Sequence, residues 1–371
     1  MRILHTADWQ IGKPFLRFGE KAEALRAARL DAVERLGELA VAEGVAHILV
    51  AGDVFDSETP ANVTLRGPLE RMHRFARVTW HLLPGNHDPH RPSGLWERLR
   101  ALGAPPNVRL HLISEPVALG DHCFLLPAPL TGKAETRDLT ARMDAMATPE
   151  GAIRIGLAHG AIAQFGGGGE GEAKNPIDPA RAERAGLDYL ALGDWHRTQP
   201  VNARTWYAGT PEPDRYDSQA VGTALIVTIP RAGVIPQGEP RCVGTYHWRS
   251  EAMALTEPDQ LTGPEAALPA TAEPVSKLVL ALAISGAVSI TERRRLDQWL
   301  ERLQALVFHL DADIDLRIRP DRDDLETIDF DGVLRRAAET LKQQSVDPSV
   351  SSAARQTAED ALMELYLEAV A

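Results

Sequence analysis

Apolar positions along this chain follow two rhythms. Five short runs are almost continuously apolar, and each stops at side chains able to hold a cation: Arg2–Asp8 (RILHTAD), His47–Asp53 (HILVAGD), Val78–Asp88 (VTWHLLPGNHD), Arg154–Gly160 (RIGLAHG) and Tyr189–His196 (YLALGDWH). Runs of this length without alternation predict parallel strands buried on both faces. Between the first two lies Lys21–Glu43, rich in Ala, Leu, Glu and Arg with apolar residues three or four apart, which predicts a helix. A second helix is expected near Ala61–Arg77. Strand, helix, strand in repetition implies right-handed crossovers and a layered α/β sheet. Ligands collect beyond the carboxyl ends of strands in such sheets. The pattern therefore delivers Asp8, Gln10, Asp53, Asn86, His87, His159, Asp194 and His196 to one edge of one sheet.

The rest of the chain divides by the same signals. Ala220–Ile229 and Arg241–Arg249 read as strands without functional ends, so the first domain should occupy residues 1–250. Residues 251–273, rich in Pro, Ala, Thr and Glu and without periodicity, read as a linker. Lys277–Ile284 (strand), Thr291–Val307 (helix) and Asp313–Arg319 (alternating strand) then make a small α+β unit over 274–329. Residues 330–371 carry two helical stripes, Phe330, Val333, Leu334, Ala337, Ala338, Leu341 and Ala358, Ala361, Leu362, Leu365, Tyr366, Ala369. They suit packing on the chain itself or docking in a partner's groove. The glycine run Gly166–Gly169 with Glu170 and Glu172 reads as a mobile surface loop following His159.

Composition narrows the class. Of 371 residues 44% are hydrophobic and 25% charged, as in a soluble globular protein. Cys123 and Cys242 form no paired motif and are expected to be reduced thiols. No apolar segment precedes the first strand, and no run of about 18 apolar residues occurs, so a cytoplasmic protein away from the membrane is expected. The net charge of −12 argues against broad adhesion to nucleic acid, although bound divalent ions would add local positive charge. Two arginine groups, Arg66, Arg71, Arg74, Arg77 and Arg91, Arg98, Arg100, could form a basic stripe or simply solvated helix faces. Gly12-Lys13 and Gly132-Lys133 lack the rest of a phosphate loop, which excludes ATP hydrolysis by that route.

The strand-end residues suit a site for two divalent ions about 3.5–4 Å apart, which can activate water and hold the attacking and leaving oxygens of a phosphoryl transfer. Asp53, after Gly52, is the candidate bridge between the ions. Asp8 completes one side, Asn86 offers a carbonyl oxygen to the other, and His159 and His196 offer ring nitrogens. Mixed oxygen and nitrogen donors suit manganese, iron or zinc better than calcium. His87 follows Asn86 directly and is cast outside the coordination shell, protonating the leaving oxygen or steadying phosphate charge. Asp88 or Asp56 could orient it or a neighbouring ligand.

The order D-x-Q, G-D-x-x-D, G-N-H-D, H-G, G-D-x-H resembles the calcineurin-like metallophosphoesterase superfamily. ILHTADWQIGK, LVAGDVFDSETP, LLPGNHDPH and YAGTPEP (Tyr207–Pro213) look like its SbcD-like DNA-repair exonuclease branch, over about residues 1–215. The resemblance implies a sandwich-like α/β nuclease domain, a small capping domain and C-terminal helices that dock on an SMC-like coiled-coil ATPase of the SbcC type. It implies manganese, with Asp8, the position of Gln10, Asp53 and His196 around one ion and Asp53, Asn86, His159 and the position of Asp194 around the other. Dimerisation is also expected from the family, with Ala61–Arg77 as a surface for it. Gln10 and Asp194 stand where the family has histidine. They make the site richer in oxygen, which favours manganese or magnesium. Three functions compete: a DNA exonuclease or endonuclease working with the ATPase, a partner-free phosphoesterase for small molecules or nucleotides, and a DNA-end-binding scaffold with impaired catalysis.

Overall fold

The computed structural model describes residues 1–162, 174–216, 221–255, 274–318 and 332–370. The glycine run and its two glutamates, most of the expected linker and Phe330 lie outside them. The chain separates into two compact units, Met1–Trp248 and Arg249–Ala371.

In the first unit, β1 (Arg2–Thr6), β2 (His47–Val50), β3 (Thr79–Leu82) and β4 (Val108–Leu110) are parallel neighbours, and the antiparallel β13 (Thr223–Thr228) and β14 (Gln237–Cys242) extend the sheet beyond β1. A second six-stranded sheet runs β11 (Thr198–Pro200), β12 (Thr205–Ala208), β10 (Tyr189–Gly193), β7 (Ile153–His159), β6 (Cys123–Ala128), β5 (Val117–Gly120), parallel except at its two edges. A short pair, β8 (Ala161–Ile162) and β9 (Pro176–Ile177), stands beside it.

The one-sheet expectation is thus corrected. The five apolar runs divide between two sheets, β1, β2 and β3 in one and β7 and β10 in the other. A run buried on both faces carries no mark of which sheet it joins. The alternation of side chains makes the layers. Ile3, Leu49, Leu225, Ile155, Leu157, Tyr189 and Ala191 fill the space between the sheets. Leu4, Ile48, Val50, Trp80 and Leu82 face the other way, onto α1 (Ala22–Ala42), α2 (Asn62–His73) and α3 (Leu95–Ala101), through Val33, Leu36, Leu65, Leu69 and Trp96. Leu126, Ala158, Leu190 and Leu192 meet Met143, Ala182 and Ala185, the last two on or beside the short α4 (Arg181–Arg184). The result is a layered α/β sandwich, with the carboxyl ends of β1, β2, β3, β7 and β10 converging.

Five of the seven arginines considered for a basic stripe are engaged. Arg71 and Arg74 reach Asp31 and Glu34 of α1, Arg91 pairs with Glu58, Arg98 with Asn62, and Arg100 with Glu97. Cys123 is buried and Cys242 exposed, both as free thiols.

In the second unit, β16 (Leu278–Val288) and β17 (His309–Ile318) are parallel, joined by α5 (Ile290–Leu306), with β15 (His247–Leu255) on the far side of β16. Ser289 and Glu292 form a reciprocal capping box at the start of α5. Leu280, Leu282, Ile284, Leu296, Trp299 and Leu303 make its core. Glu251–Leu255, expected to open the linker, belong instead to β15. Residues 256–273 lie outside the described residues. The tail forms α6 (Val333–Val346) and α7 (Ser352–Val370). Ala338, Ala358 and Leu362 are buried, whereas Val333 and Leu334 of the first stripe are exposed. Among the described residues no helix is long and apolar enough to cross a membrane.

Candidate metal centre

Four of the seven non-glycine residues with positive φ among the described residues lie in this one cluster: Asp8 (φ 56°), Gln10 (43°), Asp53 (54°) and Asp194 (104°). Such backbones persist only where the surroundings over-determine them, and they collect at functional sites. Here the turns after β1 and β2 are laced together: Asp8 N–H donates to the Gly52 carbonyl at 3.1 Å, Gln10 N–H to Asp53 at 2.9 Å, and Ile11 N–H to Val54 at 2.9 Å. Thr210 Oγ1 donates to the Asp8 carbonyl at 2.9 Å.

Two glycines make room for the ligands. A Cβ on Gly52 would stand 2.3 Å from His159 Nδ1, and one on Gly85 would stand 2.1 Å from Asp53 Oδ1. The G-D and G-N pairs of the motifs are therefore packing requirements as much as turn signals.

Ligand atoms of Asp8, Asp53 and His159, all buried, lie within 4.8 Å of one another. His159 Nδ1 donates to the Ala51 carbonyl at 2.8 Å, so Nε2 faces the cluster, 2.7 Å from Asn86 Oδ1, 3.6 Å from Asp53 Oδ1 and 3.7 Å from Asp194 Oδ1. Burial alone would lower the His159 pKa, yet the carboxylates of Asp53, Asp8 and Asp194 carry it up to about 9. The imidazole is thus poised to share its Nε2 with a positive partner. Burial raises Asp8 to about 6 against the pull of His196 and His159, and burial also raises Asp194. His196 Nε2 lies 4.0 Å from Asp8 Oδ1, and its Nδ1 donates to Asp214 at 3.1 Å. Asp8, Asp53, His159 and His196, all buried, and the half-buried Asn86 and Asp194 bring three carboxylates, an amide oxygen and two imidazoles together, a donor set that suits divalent cations.

His87 sits at the rim. Its backbone N–H donates to Asp53 Oδ1 at 2.9 Å, its Nδ1 donates to the Asp56 carbonyl at 3.0 Å, and Nε2 lies 3.9 Å from Asp53 Oδ2. A cavity of about 450 Å³ opens here, lined by Gln10, Lys13, Asp53, Asn86, His87, Asp194, Trp195, His196, Asp214 and Arg215.

The side chains of Asp88 and Asp56 do not orient the His87 ring. Asp88 is turned away from the cavity and fully buried, accepting from Gly85 N–H at 2.7 Å and Phe55 N–H at 3.0 Å. It ties the G-N-H-D turn to the G-D-x-x-D turn and does not orient the His87 ring. Burial, together with its position next to Asp53, holds its pKa well above the usual carboxylate range. Asp56 meets His87 through its backbone carbonyl, while its carboxylate lies 3.8 Å from Lys13 Nζ.

Three further residues complete the site beyond what the sequence pattern marks. Asp214 fixes His196, receives Lys13 Nζ at 2.6 Å and lies 3.4 Å from the buried Arg29 guanidinium. Although burial favours its neutral form, Arg29, His196 and Lys13 together hold its pKa far below the usual carboxylate value. Asp214 directly follows the Tyr207–Pro213 segment, the one signal that could have drawn attention to it. Lys13 ends the ILHTADWQIGK motif, but nothing in the sequence marks Arg29.

This fold and site define a metal-dependent phosphoesterase. Residues 1–198, more than half of the chain, match the calcineurin-like phosphoesterase profile, and the chain belongs to that family. Among individual proteins it is 42% identical over 93 residues to the SbcD component of nuclease SbcCD from Rhodobacter capsulatus, covering 24% of this chain and 22% of that one. It is 25% identical over 265 residues to the SbcD component of nuclease SbcCD from Bacillus subtilis, covering 62% and 66%. It is 27% identical over 223 residues to the uncharacterized metallophosphoesterase YhaO of Bacillus subtilis, covering 55% and 50%. The chain thus spans between about a fifth and two thirds of these relatives' lengths.

Proposed function

We propose that this chain is a manganese-dependent DNA nuclease that hydrolyses phosphodiesters in DNA repair together with an SMC-like coiled-coil ATPase. The observation that carries the reading is the convergence of Asp8, Asp53, Asn86, His159, Asp194 and His196 at the carboxyl ends of two stacked sheets, with His87 at the open rim. The names of the SbcCD relatives, each one subunit of a nuclease, support a nucleic-acid substrate and a second subunit as partner.

In this reading Asp53 would be shared by two divalent ions, with Asp8 and His196 holding the first and Asn86, His159 and Asp194 holding the second. Such ions would supply an activated water and neutralise charge on the phosphate. The chain's own residues do the rest. Asp214 fixes the tautomer of His196, and the Ala51 carbonyl fixes that of His159, so each ring keeps its Nε2 directed at the cluster. His87, held through its Nδ1–H, presents Nε2 to the cavity, where the doubly protonated ring can pass its Nε2 proton to the leaving oxygen and become the neutral Nδ1–H form. Residues 274–329 act as a cap, and 330–371 as the ATPase-docking helices, for which exposed Val333 and Leu334 offer apolar surface. A homodimer through the helix Asn62–His73 is part of the same reading, and its exposed Val63 is a suitable contact.

The test is incubation of the full chain and Asp53→Ala with linear duplex DNA, single-stranded DNA and a bis-aryl phosphodiester in the presence of manganese. DNA degradation that Asp53→Ala abolishes supports the proposal. Cleavage of the small diester alone assigns a small-molecule phosphoesterase instead, and DNA binding without turnover assigns a scaffold.

A further inference from the structure

Gln10 is the position at which this site departs most from a simple pair of ion sites. An amide coordinates a cation through its carbonyl oxygen alone, and in this fold that oxygen is engaged: Lys13 Nζ lies 2.9 Å from Gln10 Oε1. The orientation of the amide follows from chemistry, because an ammonium has donors and no acceptor. The Gln10 amide nitrogen is thereby turned to the other side, 3.4 Å from His196 Nε2. Since His196 Nδ1 donates to Asp214, Nε2 carries the lone pair, and the Gln10 N–H points at it. Two donors of the first ion position are thus occupied by the chain itself.

Lys13 is fixed in this arrangement. Asp214 Oδ2 lies 2.6 Å from its Nζ, and the buried Arg29 sits 3.4 Å from the same carboxylate oxygen. The ammonium also faces the Asp56 carboxylate at 3.8 Å. A positive charge, partly balanced by Asp214 and Asp56, therefore stands one side chain, Gln10, away from the position where Asp8, Asp53 and His196 would hold a cation, and it disfavours a further cation there. At the other position Asn86 Oδ1 and His159 Nε2 also meet, at 2.7 Å, but there the donors engage each other through one exchangeable ring proton, and the carboxylates of Asp53 and Asp194 face that imidazole at 3.6 and 3.7 Å with no lysine ammonium paired to them among the described residues.

We infer that the Gln10–Lys13 contact makes the two ion positions unequal: the ion among Asp53, Asn86, His159 and Asp194 binds tightly, and the one among Asp8, Asp53 and His196 binds weakly. Lys13 acts as a positioning residue that restrains metal loading through Gln10 and its own charge. The inference rests on the two-ion reading above.

Titration calorimetry of the full chain with manganese chloride, with bound metal counted after dialysis, reads the two affinities directly. The wild-type chain should take up one ion tightly and a second at least about tenfold more weakly, within the range by which groups behind metal ligands tune affinity. Lys13→Met should tighten the weak step by about tenfold, because it releases the Gln10 oxygen and removes the charge. Gln10→His should tighten the same step by supplying a ring nitrogen in place of the engaged amide. A lysine that merely supports the fold predicts the opposite, weaker binding on its removal. Two equally tight ions in the wild-type chain, or a weak step unchanged or weakened in both variants, overturns this inference and leaves the two-ion site standing. A single ion in the wild-type chain and in both variants overturns the two-ion reading itself.

Discussion

Gly85→Ala places one methyl group against the residue on which the site depends. The new Cβ would lie 2.1 Å from Asp53 Oδ1 and 2.4 Å from the Asp53 backbone nitrogen, where about 3.0 Å is the closest approach real Cβ atoms make. A carboxylate alone could swing aside, but the backbone contact requires the turn after β2 to retreat by about 0.6 Å, and the carboxylate by about 0.9 Å. Asp53 is tied by its carbonyl to Gln10 N–H and by Oδ1 to His87 N–H, so the shift propagates to both. Displacements approaching 1 Å at reacting groups cost on the order of 100-fold in rate, or about 2.7 kcal/mol of barrier. Turnover of a bis-aryl phosphodiester with manganese should therefore fall by roughly 10- to 100-fold, while a thermal melt shows a folded chain. Gly120→Ala is the matched control, because nothing lies within 4 Å of its added Cβ. Turnover within about twofold of wild type in Gly85→Ala, with unchanged manganese affinity, would refute the reasoning.

Other perturbations separate the roles of neighbouring residues. His87→Ala should keep the bound-metal count and lower turnover by about 100- to 10,000-fold, the usual contribution of a general acid; metal analysis beside kinetics checks it, and loss of metal would contradict it. Asp88→Ala leaves two buried N–H groups unpaired and should cost about 2–6 kcal/mol in urea unfolding, with turnover falling as the two turns separate; a stability unchanged from wild type would contradict the structural role. Buried His5 and His111 have pKa values lowered by burial to about 3 and about 4, so they stay neutral in the fold while the unfolded chain protonates them near 6.5. The contribution of these two histidines to stability should be constant above about pH 6.5 and be lost as pH drops toward 4, with His111 alone responsible for on the order of 3 kcal/mol; an unfolding midpoint that falls as steeply between about pH 7 and pH 4 in His111→Gln as in the wild-type chain would contradict this.

Much of this architecture could be read along the chain, and the exceptions have physical causes. The residues that gather in the cluster were legible because each ends a run whose apolar character is imposed by burial on both faces. The division of those runs between two sheets was not, since Leu49 and Ile155 look alike in sequence although they meet across the sandwich from opposite sheets. Glu251–Leu255 alternate weakly and adjoin a Pro-rich segment, so the strand was lost in the linker signal. Asp88 follows His87 in sequence, but the tight turn sends its side chain inward to Gly85 and Phe55. Asp214, Lys13 and Arg29 act together only because three distant segments meet, and no periodicity encodes such a meeting.

The central claim is that two divalent ions sit at the ends of these strands with Asp53 between them. Anomalous diffraction at the manganese edge, from crystals of the full chain grown with excess manganese, tests it most directly. The account predicts two peaks sharing Asp53, one beside Asn86, His159 and Asp194 and a lower one beside Asp8 and His196. No peak at this cluster, or peaks that do not contact Asp53, would contradict it.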